Sequence, residues 1–252
     1  MKMTYSPSLA DIPITPLGDS ALIVKFGDSI QKDTHHKVRQ LAEHLDRQPF
    51  NWMVEVVPTF TSVTIYYDTM KLLAESVKQG GDIQAESPFK LAAESVFQLL
   101  QTLRDVNASS ARTVEIPVCY GGDFGPDLET VASRNGLTPQ EVIDIHGSAD
   151  YLVYMLGFAP GFAYLGGMSV RIATPRRETP RISIPAGTVG IAGDQTGVYP
   201  IDTPGGWQLI GKTPIELFKP QQMPPTLLQA GDIVRFYPIT REQFESWEET
   251  VR

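Results

Sequence analysis

Apolar positions change their period along the chain. In "ITPLGDSALIVKF" they flank the turn signal Gly18-Asp19, which predicts a β-hairpin. "SIQKDTHHKVRQLAEHLDRQ" places Val38, Leu41, Ala42 and Leu45 at helical spacing. Two β-branched and aromatic runs follow, "WMVEVVP" and "SVTIYYD", and read as strands. "FKLAAESVFQLLQTLRDV" returns to the helical period, with Leu91, Val96, Leu99, Leu100 and Leu103 on its apolar side. The polar "KQGGDIQAESP" ahead of it reads as a loop. "NASSART" after it reads as a linker, because it offers no apolar anchor.

"TVEIPVCYGG" predicts a strand, and "DLETVASRNGL" and "TPQEVIDIHGS" predict two short helices. Asp127 stands where it can cap the first, with Gly136 near its end; Thr138, Pro139 and Glu141 make a start signal for the second. From Tyr151 to about Pro238, short β-prone pieces alternate with Gly and Pro, and no helix of ordinary length is expected. That pattern predicts a small β-barrel or sandwich. "REQFESWEETV" reads as a closing helix, and no internal repeat has a fixed period. The chain is thus α+β first and mainly β afterwards.

Composition narrows the partners. The 252 residues are 42% hydrophobic, enough to bury a core in one large domain or two modest ones. The 20 prolines and 21 glycines fit a turn-rich β fold. No apolar run approaches the roughly eighteen residues of a membrane span. "MKMTYSPSLADIP" lacks the apolar stretch of a signal peptide. Cys119 is the only cysteine, which excludes a disulfide framework and points to a reducing cytoplasm. A net charge of −8 and a pI of about 5.0 argue against nucleic acid and anionic membrane as partners. Against that acidic background, "RIATPRRETPRIS" gathers Arg171, Arg176, Arg177 and Arg181, a setting for a small anion.

"GFAPGFAYLGG" packs four glycines, a proline and three rings into eleven residues. It reads either as a turn whose rings plug a core or as the wall of a binding cleft. "GWQLIGKT", Gly206 to Thr213, fits the spacing of a phosphate loop. Its interior looks like strand, however, and Pro214 bars the helix such a loop needs, so Lys212 is at most an isolated cation. His146, followed by Gly147, is either a charge at a helix C-terminus or a proton donor and acceptor near the aromatic stretch. His35, His36 and His44 fall on a helix without metal-ligand spacing and read as a solvated face. In "TPRRETPR" proline stiffens the backbone before Arg176 and Arg181, which suits a guanidinium fork for carboxylate or phosphate; the alternative is a solvated loop paired to Glu178. "GDQTGVYPIDTPGGW" adds Asp194, Gln195, Tyr199 and Trp207, or simply hairpin turns with inward rings. No Ser-His-Asp spacing or G-x-S-x-G motif is present, and Cys119 reads as a strand-filling small hydrophobe.

"YLVYMLGFAPGFAYLGG", "TPRRETPRISIPAGTVGIAGDQTGVYPIDTPGGWQLIGKTP" and "TLLQAGDIVRF" resemble the bacterial 5-oxoprolinase B-subunit family, also called allophanate hydrolase subunit 1 or the sporulation kinase A inhibitor family. The likeness runs from about Ile14 to Phe236. It implies an α+β N-terminal domain (ferredoxin-like, 1–105) followed by a mainly-β cyclophilin-like barrel domain (112–252). It implies a hydrolase that acts with subunits A and C, uses ATP with Mg2+, and cleaves 5-oxo-L-proline (pyroglutamate) to L-glutamate. The matching positions imply His146, Arg176 and Arg181 as catalytic residues. Phe158, Phe162, Tyr164, Gln195, Tyr199 and Trp207 are implied as substrate-binding, with no protein-held metal. Two other activities remain open under the same resemblance: inhibition of a sporulation histidine kinase, and urea or allophanate chemistry.

Overall fold

The computed structural model describes residues 12–29, 31–78, 87–103 and 111–247. Most of the expected loop at 78–88 and most of the expected linker lie outside the described residues. The chain divides into two compact units, Met1–Ser109 and Ser110–Arg252.

In the first unit the expected hairpin is β1 (Ile14–Pro16) and β2 (Ala21–Lys25), turning at Gly18 with φ 63°. Then come α1 (Lys32–Arg47), β3 (Met53–Pro58), β4 (Ser62–Tyr67), α2 (Thr69–Lys78) and α3 (Pro88–Thr102). The sheet is antiparallel in the order β1-β2-β4-β3. Alternation sends Leu22, Val24, Val63 and Ile65 to the face that receives Val38, Leu41 and Leu45 of α1 and Val96 and Leu100 of α3. Each such side chain, fully withdrawn from water, contributes about 1.5–3 kcal/mol. The expected solvated histidine face of α1 is not uniform: His35 is buried, three positions before the core residue Val38, while His36 and His44 are half-buried. Helix α2 was not expected from the pattern. Its start is set by Asp68, whose carboxylate accepts the Met70 and Lys71 N–H groups at 3.0 Å.

The second unit contains β5 (Thr113–Tyr120), α4 (Leu128–Asn135), α5 (Pro139–Gly147), β6 (Tyr151–Leu156), β7 (Ala163–Gly166), β8 (Arg181–Ile184), β9 (Thr188–Ala192), β10 (Gln195–Val198), β11 (Thr203–Gly205), β12 (Gln208–Lys212), β13 (Ile233–Pro238) and α6 (Arg241–Glu245). Among the described residues, seven strands close a barrel in the order β10-β7-β6-β13-β5-β12-β9, with β9 paired back to β10. The pattern allowed a barrel or a sandwich; the structure is a barrel. Strands β5 and β13 pair in parallel, from Ile233↔Thr113 to Pro238↔Val118. Strands β8 and β11 form a separate two-stranded ribbon. Inward residues such as Ile116, Val153, Leu165, Val189, Ile191 and Phe236 fill the barrel, and α4 and α5 add Val131 and Val142 to the same core.

Local signals explain these helices. Thr138 and Glu141 complete a reciprocal cap at the start of α5, and Gly136 ends α4 with φ 66°. Of the expected closing helix "REQFESWEETV", α6 covers Arg241–Glu245, and the last four residues lie outside the described ones. Asp127 stands at the N-cap position of α4, but its side chain makes no capping bond. Among the described residues no helix is long and apolar enough to cross a membrane.

Candidate functional site

The glycines of β9 and β10 set up the site. Gly190 and Gly197 face each other in register across the two strands. A Cβ at Gly190 would stand 3.2 Å from Trp207 Cβ; one at Gly197 would stand 3.2 Å from the Phe162 ring and 3.3 Å from the Trp207 ring. The glycine pair therefore clears a strip of bare backbone on which the rings lie. Phe162 is the hub. Its ring centre lies 5.2 Å from Tyr164, 5.5 Å from Phe158, 5.7 Å from Trp207 and 6.0 Å from Tyr199, all edge to face. Ile184, Ala192 and Leu209 complete the apolar layer.

The segment Gly157–Phe162 folds as a tight turn, with Gly157 N donating to Phe162 O at 3.1 Å and Phe162 N to Ala159 O at 3.0 Å. Gly161, at φ 82°, would be strained by any side chain, and a Cβ there would press to 3.0 Å on Phe218 Cβ. Phe158 takes φ 69° although it is not glycine, and its ring stays 66% exposed. That combination costs of order 1–3 kcal/mol and concentrates at functional positions. Phe162, Tyr199 and Trp207 are buried, so they build the layer. Solvent, and any ligand, meets Phe158 and the half-buried Tyr164. Gln195 opens β10 on the ring side, because it pairs with Ala192 of the layer and alternates with inward Thr196.

Along the border runs the arginine segment. Arg177 N donates to Gly206 O at 2.7 Å, and Gln208 Nε2 donates to Pro175 O at 3.0 Å, so the segment is laced to β12 and the residues just ahead of it. Asp127 is 4% exposed and is the anchor. Its Oδ1 accepts Arg181 Nη2 at 2.8 Å and Arg177 Nη1 at 3.2 Å, and its Oδ2 accepts the Leu209 N–H at 2.7 Å. Two guanidinium groups share one carboxylate, which leaves a net positive border. Arg181 was expected to grip a ligand; it grips Asp127 instead, and the carboxylate expected to cap α4 is spent on tertiary partners. Arg176 is exposed and has no hydrogen bond or ion pair among the described residues. Burial pushes the Tyr199 phenol up, offset in part by a bond with the Trp207 backbone and by the charges of Arg176 and Arg181. Both cations thus act on the ring layer.

His146 is not part of this surface. It is fully buried in α5, its Nδ1 2.8 Å from Tyr120 Oη and its Nε2 2.8 Å from Thr196 Oγ1. Thr196 uses its own proton on Gly190 O at 3.0 Å, so it accepts from Nε2–H, and Tyr120 O–H donates to Nδ1. The network holds one neutral tautomer. Burial pushes the imidazole down to about 3. Thr196 points into the barrel while its neighbours Gln195 and Gly197 face the rings, so the barrel wall separates His146 from the site. The expected catalytic role is corrected accordingly: both nitrogens are occupied and the ring cannot be reached.

The phosphate-loop spacing falls on β12, between β5 and β9, and Pro214 follows without a helix. Cys119 is buried on β5, and burial pushes its thiol up. The residues that sequence reading missed are Asp127 as anchor, Arg177 as its second partner, and the facing pair Gly190 and Gly197. A glycine at the centre of each short β run was the available signal.

The family described as "Carboxyltransferase domain, subdomain C and D" matches residues 12–228. The chain is 53% identical to the B subunit of 5-oxoprolinase from Bacillus subtilis (strain 168), over 94% of this chain and 96% of that one. It is 38% identical to the corresponding 5-oxoprolinase subunit of Escherichia coli O157:H7, over 88% and 94% respectively. The solved structure of TTHA0988 superposes with a TM-score of 0.73 at 34% identity, covering 87% of this chain and 40% of that one. With the carboxyltransferase-domain match spanning most of its length and such identity end to end, this chain belongs to the 5-oxoprolinase B-subunit family.

Proposed function

We propose that this chain is the B subunit of an ATP-dependent 5-oxoprolinase that cleaves 5-oxo-L-proline to L-glutamate together with subunits A and C. The observation that carries the reading is the 53% identity, over nearly the whole of both chains, to a protein named as that component of 5-oxoprolinase. The surface has chemistry to match. The substrate has one carboxylate, one lactam and an apolar ring edge. Arg176, which has no ion pair among the described residues, faces the carboxylate. Phe158 and Tyr164 take the ring edge, and the Gln195 amide pairs with the lactam. The Asp127 anchor keeps Arg177 and Arg181 from turning outward, which leaves the Arg176 guanidinium for the anion. The barrel domain is of cyclophilin-like type in this reading.

Opening an unstrained lactam needs activation, which ATP with Mg2+ supplies in the assembled enzyme. The strand at Gln208–Lys212 does not fit a nucleotide's phosphates, because it cannot turn its backbone N–H groups into a cradle. This chain's contribution is to bind and orient the substrate and to exclude water from the ring layer. The test is to co-express the chain with subunits A and C in the cytoplasm, purify the complex and measure ATP hydrolysis dependent on 5-oxoproline. Activity is expected in the complex and not in the isolated chain. A stable complex without such activity overturns the assignment.

A further inference from the structure

Past the end of β12, a cleft of about 300 Å³ opens beside the turn Ala186–Gly187. Pro200 and Pro214 stiffen its walls, and Phe244 of α6 closes one side. It belongs to the second unit but not to the ring layer, since Lys212 pairs with Thr188 at one end of β9 and Gln208 pairs with Ile191 at the other.

Most polar groups of this lining are already used. Ala186 N donates to Asp202 Oδ1 at 2.7 Å, Gly187 N to Tyr199 O at 2.7 Å, and Thr213 N to Gly187 O at 2.8 Å. Thr213 Oγ1 accepts the Ile215 N–H at 3.2 Å. Two groups are left over, and they are of opposite charge. Lys212 and Glu216 both line the cleft, and neither side chain has a hydrogen bond or ion pair among the described residues. Lys212 is half-buried, and its stem runs beside Gly187. Gly187 has φ 81°, and a Cβ there would strike Thr213 O at 2.5 Å, so the turn is fixed against the lysine. The cleft wall thus presents one cationic and one anionic side chain that no other described group neutralises.

We infer that this cleft is a binding site for a small zwitterion, an α-amino acid, whose carboxylate meets Lys212 and whose ammonium meets Glu216. A plain anion satisfies only the lysine and sets its charge against Glu216. A plain cation does the reverse. The volume lies at the lower end of small-molecule sites, which suits an amino acid and not a nucleotide. The inference does not depend on the proposed 5-oxoprolinase activity, because it concerns this chain alone and a different surface.

The experiment is a titration of the full-length, isotope-labelled chain with L-alanine, L-glutamate, acetate and methylammonium, followed by amide chemical shifts. Saturable shifts at Gly187, Lys212 and Thr213 are expected with both amino acids, and at least tenfold weaker binding with acetate and methylammonium. Lys212→Met and Glu216→Gln should each weaken binding at least fivefold, while Lys212→Arg keeps it. Melting curves of all variants confirm folding; Lys212→Gln replaces Lys212→Met, and Glu216→Ala replaces Glu216→Gln, where the first choice fails to fold. Absence of saturable shifts overturns the site. Acetate binding as tightly as L-alanine overturns the zwitterion. Shifts confined to Phe158 and Gln195 place the ligand on the ring layer and overturn the inference as well.

Discussion

Asp127→Asn is the sharpest test of how the site is held. The substitution keeps the shape and keeps an oxygen for the Leu209 N–H, now bonded at 2.7 Å. It removes the charge that Arg181 and Arg177 share at 2.8 and 3.2 Å. A hydrogen bond to a charged group contributes about 1.5–3 kcal/mol, so two set an upper bound of about 3–6 kcal/mol. The guanidinium groups are 24% and 39% exposed, so water recovers part of that, whereas the carboxylate site is 6% exposed and recovers little. The expected loss is about 2–4 kcal/mol. For a unit of this size it corresponds to a fall of roughly 6–12 °C in the melting temperature. Calorimetry of the wild type, Asp127→Asn, Arg181→Met and the double variant gives the coupling directly. Coupling of at least about 1 kcal/mol is expected between Asp127 and Arg181. A fall under 3 °C with no coupling would refute the view that this carboxylate anchors the arginine segment.

Three more outcomes are expected. Acid should destabilise the second unit through His146: it stays neutral in the fold down to about 3, while the unfolded chain takes up a proton near 6.5. The stabilisation is therefore complete above about pH 6.5 and lost as pH falls below it, by about 1.4 kcal/mol per pH unit, or about 2 kcal/mol at pH 5. His35, pushed down to about 4 by burial and by Arg39, should do the same in the first unit. Urea midpoints that do not move between pH 7 and pH 5 would contradict this. Phe158→Gly should leave the melting temperature unchanged or raise it, by relief of about 1 kcal/mol of backbone strain, and should cut 5-oxoproline-dependent turnover of the complex about tenfold. A fall of more than 3 °C would mean that the edge-to-face contact with Phe162 outweighs the backbone strain. Arg176→Gln should raise KM for 5-oxoproline roughly ten- to a hundredfold with melting unchanged, since losing one charge-assisted contact costs about 1.5–3 kcal/mol. An unchanged KM would remove Arg176 from the site.

What the sequence made legible were the features written locally. The Gly18 turn, the Thr138 and Glu141 cap and the αL glycine at 136 each depend on residues within a few positions, and each is present. Asp127 misled because its local context is that of a cap, while its partners stand 50 and 54 residues further on. His146 misled in the same way. Its place at a helix end suggested an accessible charge, and only the closing of β10 over α5 shows that Thr196 is its neighbour. The start of α2 was legible in principle, in Asp68 ahead of Leu72, but the preceding strand pattern ran straight into it. The ring layer was anticipated as rings on a flexible backbone. The facing of Gly190 and Gly197 was not, because register between strands is set by the whole barrel.

The parallel pairing of β5 and β13 has a consequence for how the protein is made. Strand β13 is the stave between β5 and β6. A ribosome delivers β5 and β6 early and must then add about eighty residues before Pro238 is available. At translation rates of roughly 5–20 residues per second, that interval lasts about 4–16 s. Throughout it, the nascent chain carries two open strand edges with apolar Ile116, Val118 and Val153 behind them. A chain stopped between 213 and 232 has every other strand of the barrel but not the one that joins β5 to β6.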